Sequence, residues 1–171
     1  MSPNPSKRRL IEQGYEQLDK GDYAAALKIF HQAAAEAPQN HEVLYGLGLA
    51  CYRLERYEEA VEYLNQALGI KPNYILALAR RGLAYQQLKK TQQAEIDFQL
   101  AIALTPEDAE DWRGRGIAFD ELGRYEDAIA AYDKAWRSRG ITLGNLRRYK
   151  HTIVSFYQNS EDASPRIYPW G

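Results

Sequence analysis

Apolar residues return along the chain at helical spacing in short blocks, and the blocks themselves return. Val43, Leu44, Leu47, Ala50 and Cys51 recur three or four positions apart. That spacing gathers side chains on one face of an α-helix. A turn at Leu54-Glu55-Arg56 follows, and then Ala60, Val61, Leu64, Ala67 and Leu68 resume the helical pattern. Pro72 comes just beyond, where a proline cannot continue the helix. The unit predicted is two helices joined by a short turn.

This unit repeats. Pro38, Pro72 and Pro106 stand 34 residues apart. Gly14, Gly48, Gly82 and Gly116 keep the same interval, as do Ala26, Ala60, Ala94 and Ala128. Ala33, Ala67, Ala101 and Ala135 form a further series, and the bulky residues Phe30, Leu64, Phe98 and Tyr132 another. Several series sharing one period mark a repeat architecture. Glycine inside a helix costs about 0.5–1 kcal/mol relative to alanine, so four in register argue for close backbone packing that offsets the cost.

The repeats resemble the tetratricopeptide repeat family. The fourth unit shows it best, in Trp112, Arg115-Gly116, Phe119, Gly123, Tyr125, Ala128, Tyr132 and Ala135. The second matches with Leu44, Leu47-Gly48, Tyr57, Ala60, Leu64, Ala67 and Pro72. Departures fall at Gln17, Arg81, Thr91 and Gly140. The expected fold is all-α, a solenoid of four helix-turn-helix units over 7–40, 41–74, 75–108 and 109–140. Residues 1–6 are expected to be a flexible N-terminus. Leu143, Leu146, Tyr149, Ile153, Phe156 and Tyr157 predict a capping helix within 141–159, since a terminal repeat needs its exposed core edge covered. Residues 160–171 read as a flexible tail whose Ile167, Tyr168 and Trp170 could dock in a groove.

The resemblance implies a right-handed superhelix whose first helices line a concave binding face. Positions not taken by the glycine–alanine packing seam are expected to point into it. These are Ile11 and Tyr15, with Leu18, in the first unit and Tyr45, Leu49, Tyr52 and Arg53 in the second. The third supplies Ala79, Arg80 and Leu83, and the fourth Arg113 and Ile117, with Glu110 and Asp120 nearby. Such a groove would take a protein or peptide partner with apolar anchors and an acidic group, because Tyr and Arg are enriched at binding hot spots and Arg grips carboxylates. Some family members bind acidic chaperone tails through a clamp of lysines, asparagines and an arginine. The matching positions here hold Ile11, Tyr15, Gly46, Leu76 and Arg80. Only the arginine survives, which disfavours that specialisation. The alternative to peptide capture is a structural module that self-associates as a homo-oligomer.

Charge and composition narrow the rest. With 22 basic and 23 acidic residues the net charge is −1, and no basic stripe points to nucleic acid. The short clusters Lys7-Arg8-Arg9 and Arg147-Arg148 with Lys150 read as solvated helix faces. No apolar run is long enough to insert in a membrane, no signal-peptide core is present, and the single Cys51 allows no internal disulfide. A cytoplasmic location is expected. His31, His41 and His151 lack ligand spacing, so neither a metal nor another cofactor is expected. Gly46-Leu-Gly48 and Gly114-Arg-Gly116 lie within helices and lack the third glycine of a dinucleotide fingerprint. No acid–base or nucleophile pair stands out, and a non-catalytic interaction module is the expected function.

Overall fold

The computed structural model describes residues 5–138. The capping helix and tail expected at 141–159 and 160–171 lie outside the described residues. All eight described elements are helices. They are α1 (Pro5–Asp19), α2 (Tyr23–Glu36), α3 (His41–Arg53), α4 (Tyr57–Ile70), α5 (Ile75–Gln87), α6 (Thr91–Ala103), α7 (Ala109–Glu121) and α8 (Tyr125–Ser138). Helix α1 begins two residues ahead of the expected boundary at 7. Each helix packs on its partner within the unit, and α2, α4 and α6 also pack on the first helix of the next unit. One buried cluster therefore runs from Leu18 to Tyr132.

Two of the 34-residue series turn out to be the two halves of one device. A methyl group at Gly14 would come 2.6 Å from the ring of Phe30, at Gly48 2.8 Å from Leu64, and at Gly82 2.5 Å from Phe98. One at Gly116 would collide with the ring of Tyr132. In every unit the glycine of the first helix is the socket for the bulky residue of the second. Phe30, Leu64, Phe98 and Tyr132 are at most 3% exposed. Phe30 fills a second socket as well, because a methyl group at Gly46 of α3 would strike the same ring.

The turns repeat too. Gly21, Glu55, Lys89 and Gly123, again 34 apart, all have positive φ, at 79°, 61°, 60° and 73°. The turn between paired helices demands a left-handed residue, which glycine supplies without steric cost and other residues do not. Lys89→Gly is therefore expected to stabilise the chain by about 1 kcal/mol. The check is a higher urea midpoint with an unchanged slope.

Polar contacts also tie the helices together. Arg81 in α5 donates through Nε and Nη2 to both carboxylate oxygens of Asp97 in α6, at 2.8 and 2.6 Å, and through Nη1 to Asn65 in α4 at 2.7 Å. Asp97 is 3% exposed, so the pair is a planar two-point contact shielded from water. Arg81, a departure from the family pattern, joins three consecutive helices.

Candidate functional site

Helix spacing and repeat stacking decide which first-helix residues stay open. Ile11, Tyr45, Ala79 and Arg113 occupy one position of the repeat, and Tyr15, Leu49, Leu83 and Ile117 another. An interior first helix is flanked by the second helix of its own unit, that of the preceding unit, and neighbouring first helices. Helix α1 has no preceding described unit, so Ile11 and Tyr15 remain half-open. Tyr45, Leu49, Ala79, Leu83 and Ile117, expected in the groove, are instead core residues. Arg80 is likewise buried, at 3% exposure. The stacking of α2 on α3, of α4 on α5, and of α5 and α6 on α7 covers these positions.

Three of the residues that remain open line one cavity of about 380 Å³. Its walls are Ile11, Tyr15 and Asp19 of α1, Glu42 of α3, Tyr74 just before α5, and Glu110 and Arg113 of α7. First helices from the start and the end of the described array thus meet across one depression. Of the expected groove residues it gathers Ile11, Tyr15 and Arg113. Tyr52 and Arg53 lie at the other end of α3 from Glu42. There Arg53 sits over the Tyr23 ring at 5.7 Å, and Tyr52 meets Tyr57 edge-on at 5.5 Å.

Asp19, Glu42 and Tyr74 were not anticipated. A signal for Tyr74 exists in the repeat itself. Asn40, Tyr74 and Asp108 share one position, the residue before each first helix. Asn40 accepts from the Glu42 and Val43 amides, and Asp108 accepts from the Asp111 amide, each capping its helix. Tyr74 provides no side-chain cap. A position that abandons a local stabilising rule is one where another role is expected.

The floor of the cavity is aromatic and its hydroxyls are shielded. Tyr15 Oη donates to the Glu42 carbonyl at 3.3 Å, and its ring meets Phe30 edge-on at 5.2 Å. Tyr74 packs 5.2 Å from Tyr45 and 5.5 Å from His41, with the Lys71 ammonium 5.0 Å above its ring. Arg113 Nη2 donates to Glu110 Oε2. The buried Tyr45 hydroxyl and Arg113 Nε have no partner among the described residues. Burial pushes the Tyr15 and Tyr74 hydroxyls well above the ordinary value of 10.0, and the neighbouring Tyr45 and the Glu42 carboxylate add to it.

The folded hydroxyls keep their protons at a pH where the unfolded chain has lost them. The stabilisation is complete below pH 10 and declines as pH rises above it. For Tyr74, 7% exposed, the slope approaches about 1.4 kcal/mol per pH unit. Tyr74→Phe should flatten the fall in melting temperature between pH 10 and 11.5. An unchanged slope would contradict this.

Among the described residues no group of three His, Cys, Asp or Glu could hold a metal ion, and no helix is long and apolar enough to cross a membrane. Burial raises the Cys51 thiol to about 11, so it is a small core residue and a poor nucleophile at neutral pH.

The tetratricopeptide repeat profile matches residues 11–75 and 79–139. The chain belongs to the tetratricopeptide repeat family. Solved structures agree. The first such domain of Spaghetti (RPAP3), bound to the HSP90 peptide SRMEEVD, is 26% identical with a TM-score of 0.60, over 72% of this chain and 93% of that one. The first domain of human RPAP3 is 25% identical with a TM-score of 0.60, over 74% and 94%. MamA, at 21% identity and a TM-score of 0.57 over 81% of each chain, shares the fold. No curated relative matches the chain. As a tetratricopeptide repeat protein the chain has a protein-interaction fold, and that fold is generally non-catalytic.

Proposed function

We propose that this protein is an adaptor or assembly scaffold that captures a peptide or helix of a partner in its concave groove. The observation that carries the reading is the convergence of α1, α3, α7 and Tyr74 on one cavity lined by tyrosine, isoleucine and a few charges. Two tyrosines and an isoleucine beside four charged side chains give it both apolar surface and groups that can fix a partner's orientation. The RPAP3 domain of the same fold was solved with a bound peptide, which supports peptide capture as the mode.

Ile11→Trp tests it, since the indole occupies the cavity without changing its charge. Capture of partner from the source lysate is expected to fall at least tenfold while helicity is kept. Full capture by a folded Ile11→Trp protein would reject the groove. Self-association remains the second reading, favoured by Ile96 and Leu100, one turn apart on α6 and 65% and 43% exposed. An oligomer that survives dilution in light scattering would favour it.

A further inference from the structure

Three carboxylates and one guanidinium line the cavity, a net charge of −2. The Glu110–Arg113 pair is internally neutralised. Asp19 and Glu42 are exposed, and neither carboxylate has an ion-pair partner among the described residues. The Tyr45 hydroxyl, in a residue 1% exposed, is a buried polar atom without a hydrogen-bond partner there. It lies within electrostatic reach of the Tyr15 and Tyr74 hydroxyls, whose residues line the cavity. The walls therefore offer oxygen acceptors beside an aromatic and aliphatic floor.

We infer that the cavity selects a basic side chain, a lysine or arginine carried on a segment of a protein partner. This rests on the groove being the binding surface. A long cationic side chain is apolar along its stem and a pure donor at its head. Its stem fits against Ile11 and the Tyr15 ring, and its head meets Asp19 and Glu42. Tyr74 already carries the Lys71 ammonium 5.0 Å from its ring, so this aromatic environment accepts a cation in the protein itself. An acidic anchor would face two unpaired carboxylates, and Arg113 is already engaged by Glu110. Arg80, the arginine expected to grip an acidic group, is in the core. The preference is opposite to the acidic end of the SRMEEVD peptide bound by the RPAP3 domain.

The test uses the full chain and three probes followed by NMR: n-butylguanidinium, n-pentanol and n-butyrate. Butylguanidinium is expected to shift the Tyr15 and Tyr74 ring signals saturably, more tightly than the other two, and to weaken with salt. Asp19→Asn with Glu42→Gln, which keeps the shape, should weaken it about tenfold, the equivalent of 1.4 kcal/mol. Equal or tighter binding of butyrate, no saturable response, or indifference to the double substitution would overturn the preference. Partner capture separates this from the groove reading. Loss in Ile11→Trp with full retention in the charge variant leaves the groove standing and removes the cation. Displacement of butylguanidinium by a synthetic peptide of residues 160–171, which holds Arg166 among aromatics, would overturn the assignment to a separate partner and name the chain's own tail.

Discussion

Phe30→Ala is expected to lower stability by about 4 kcal/mol. The ring is wholly buried and fills the sockets left by Gly14 in α1 and Gly46 in α3. It also takes the edge of Tyr15. Removing it opens one hole shared by three helices. The glycines have no side chain with which to close it, so the site cannot collapse to recover contacts. A loss of that size is a large share of the roughly 5–15 kcal/mol that holds a domain together. In a solenoid each unit contacts only its neighbours, so the damage should be local at first. Hydrogen exchange should show residues 5–40 opening before α5 to α8. A urea midpoint that implies a cost below about 1 kcal/mol would show that the sockets are not filled as described. Tyr15 would lose its backing, so the cavity should loosen as well.

That prediction marks how far the sequence alone could be read. The 34-residue period, the helix pairs and the glycine and bulky series are all visible in the letters, because each unit must solve the same packing problem. That Gly14 and Phe30 are lock and key is not visible, since two series with one period do not say which residues touch. The groove was harder for the same reason. A rule that frees whatever the glycine–alanine seam does not use counts only contacts within a unit. Contacts between units then bury Tyr45, Leu49, Ala79, Arg80, Leu83 and Ile117. Ile11 and Tyr15 stay open because α1 has no preceding described unit to cover them, and Arg113 faces them across the cavity from α7. Tyr74 lies in a turn, where helical periodicity is silent. Only its failure to cap, beside Asn40 and Asp108, sets it apart.

Gly114→Ala is expected to cost about 3 kcal/mol, and no trimming of a neighbour should recover it. Gly82→Ala makes the contrast. Its added methyl would strike the ring of Phe98, so Phe98→Leu should restore part of the loss, with a favourable coupling in the double-mutant cycle. At Gly114 the atoms in the way are the Leu76 Cα at 2.5 Å, the Leu76 nitrogen at 2.6 Å and the Ile75 carbonyl carbon at 2.8 Å. Backbone cannot rotate aside as a side chain can, so α7 must move away from α5. Glu110 and Arg113 precede Gly114 on α7 and form one wall of the cavity. The same substitution should therefore widen the cavity and weaken partner capture even at a temperature where the protein is folded. Leu76→Ala leaves the obstructing atoms in place and should give no rescue. Recovery of stability by Leu76→Ala would show that side-chain crowding, not backbone contact, sets the spacing of α5 and α7.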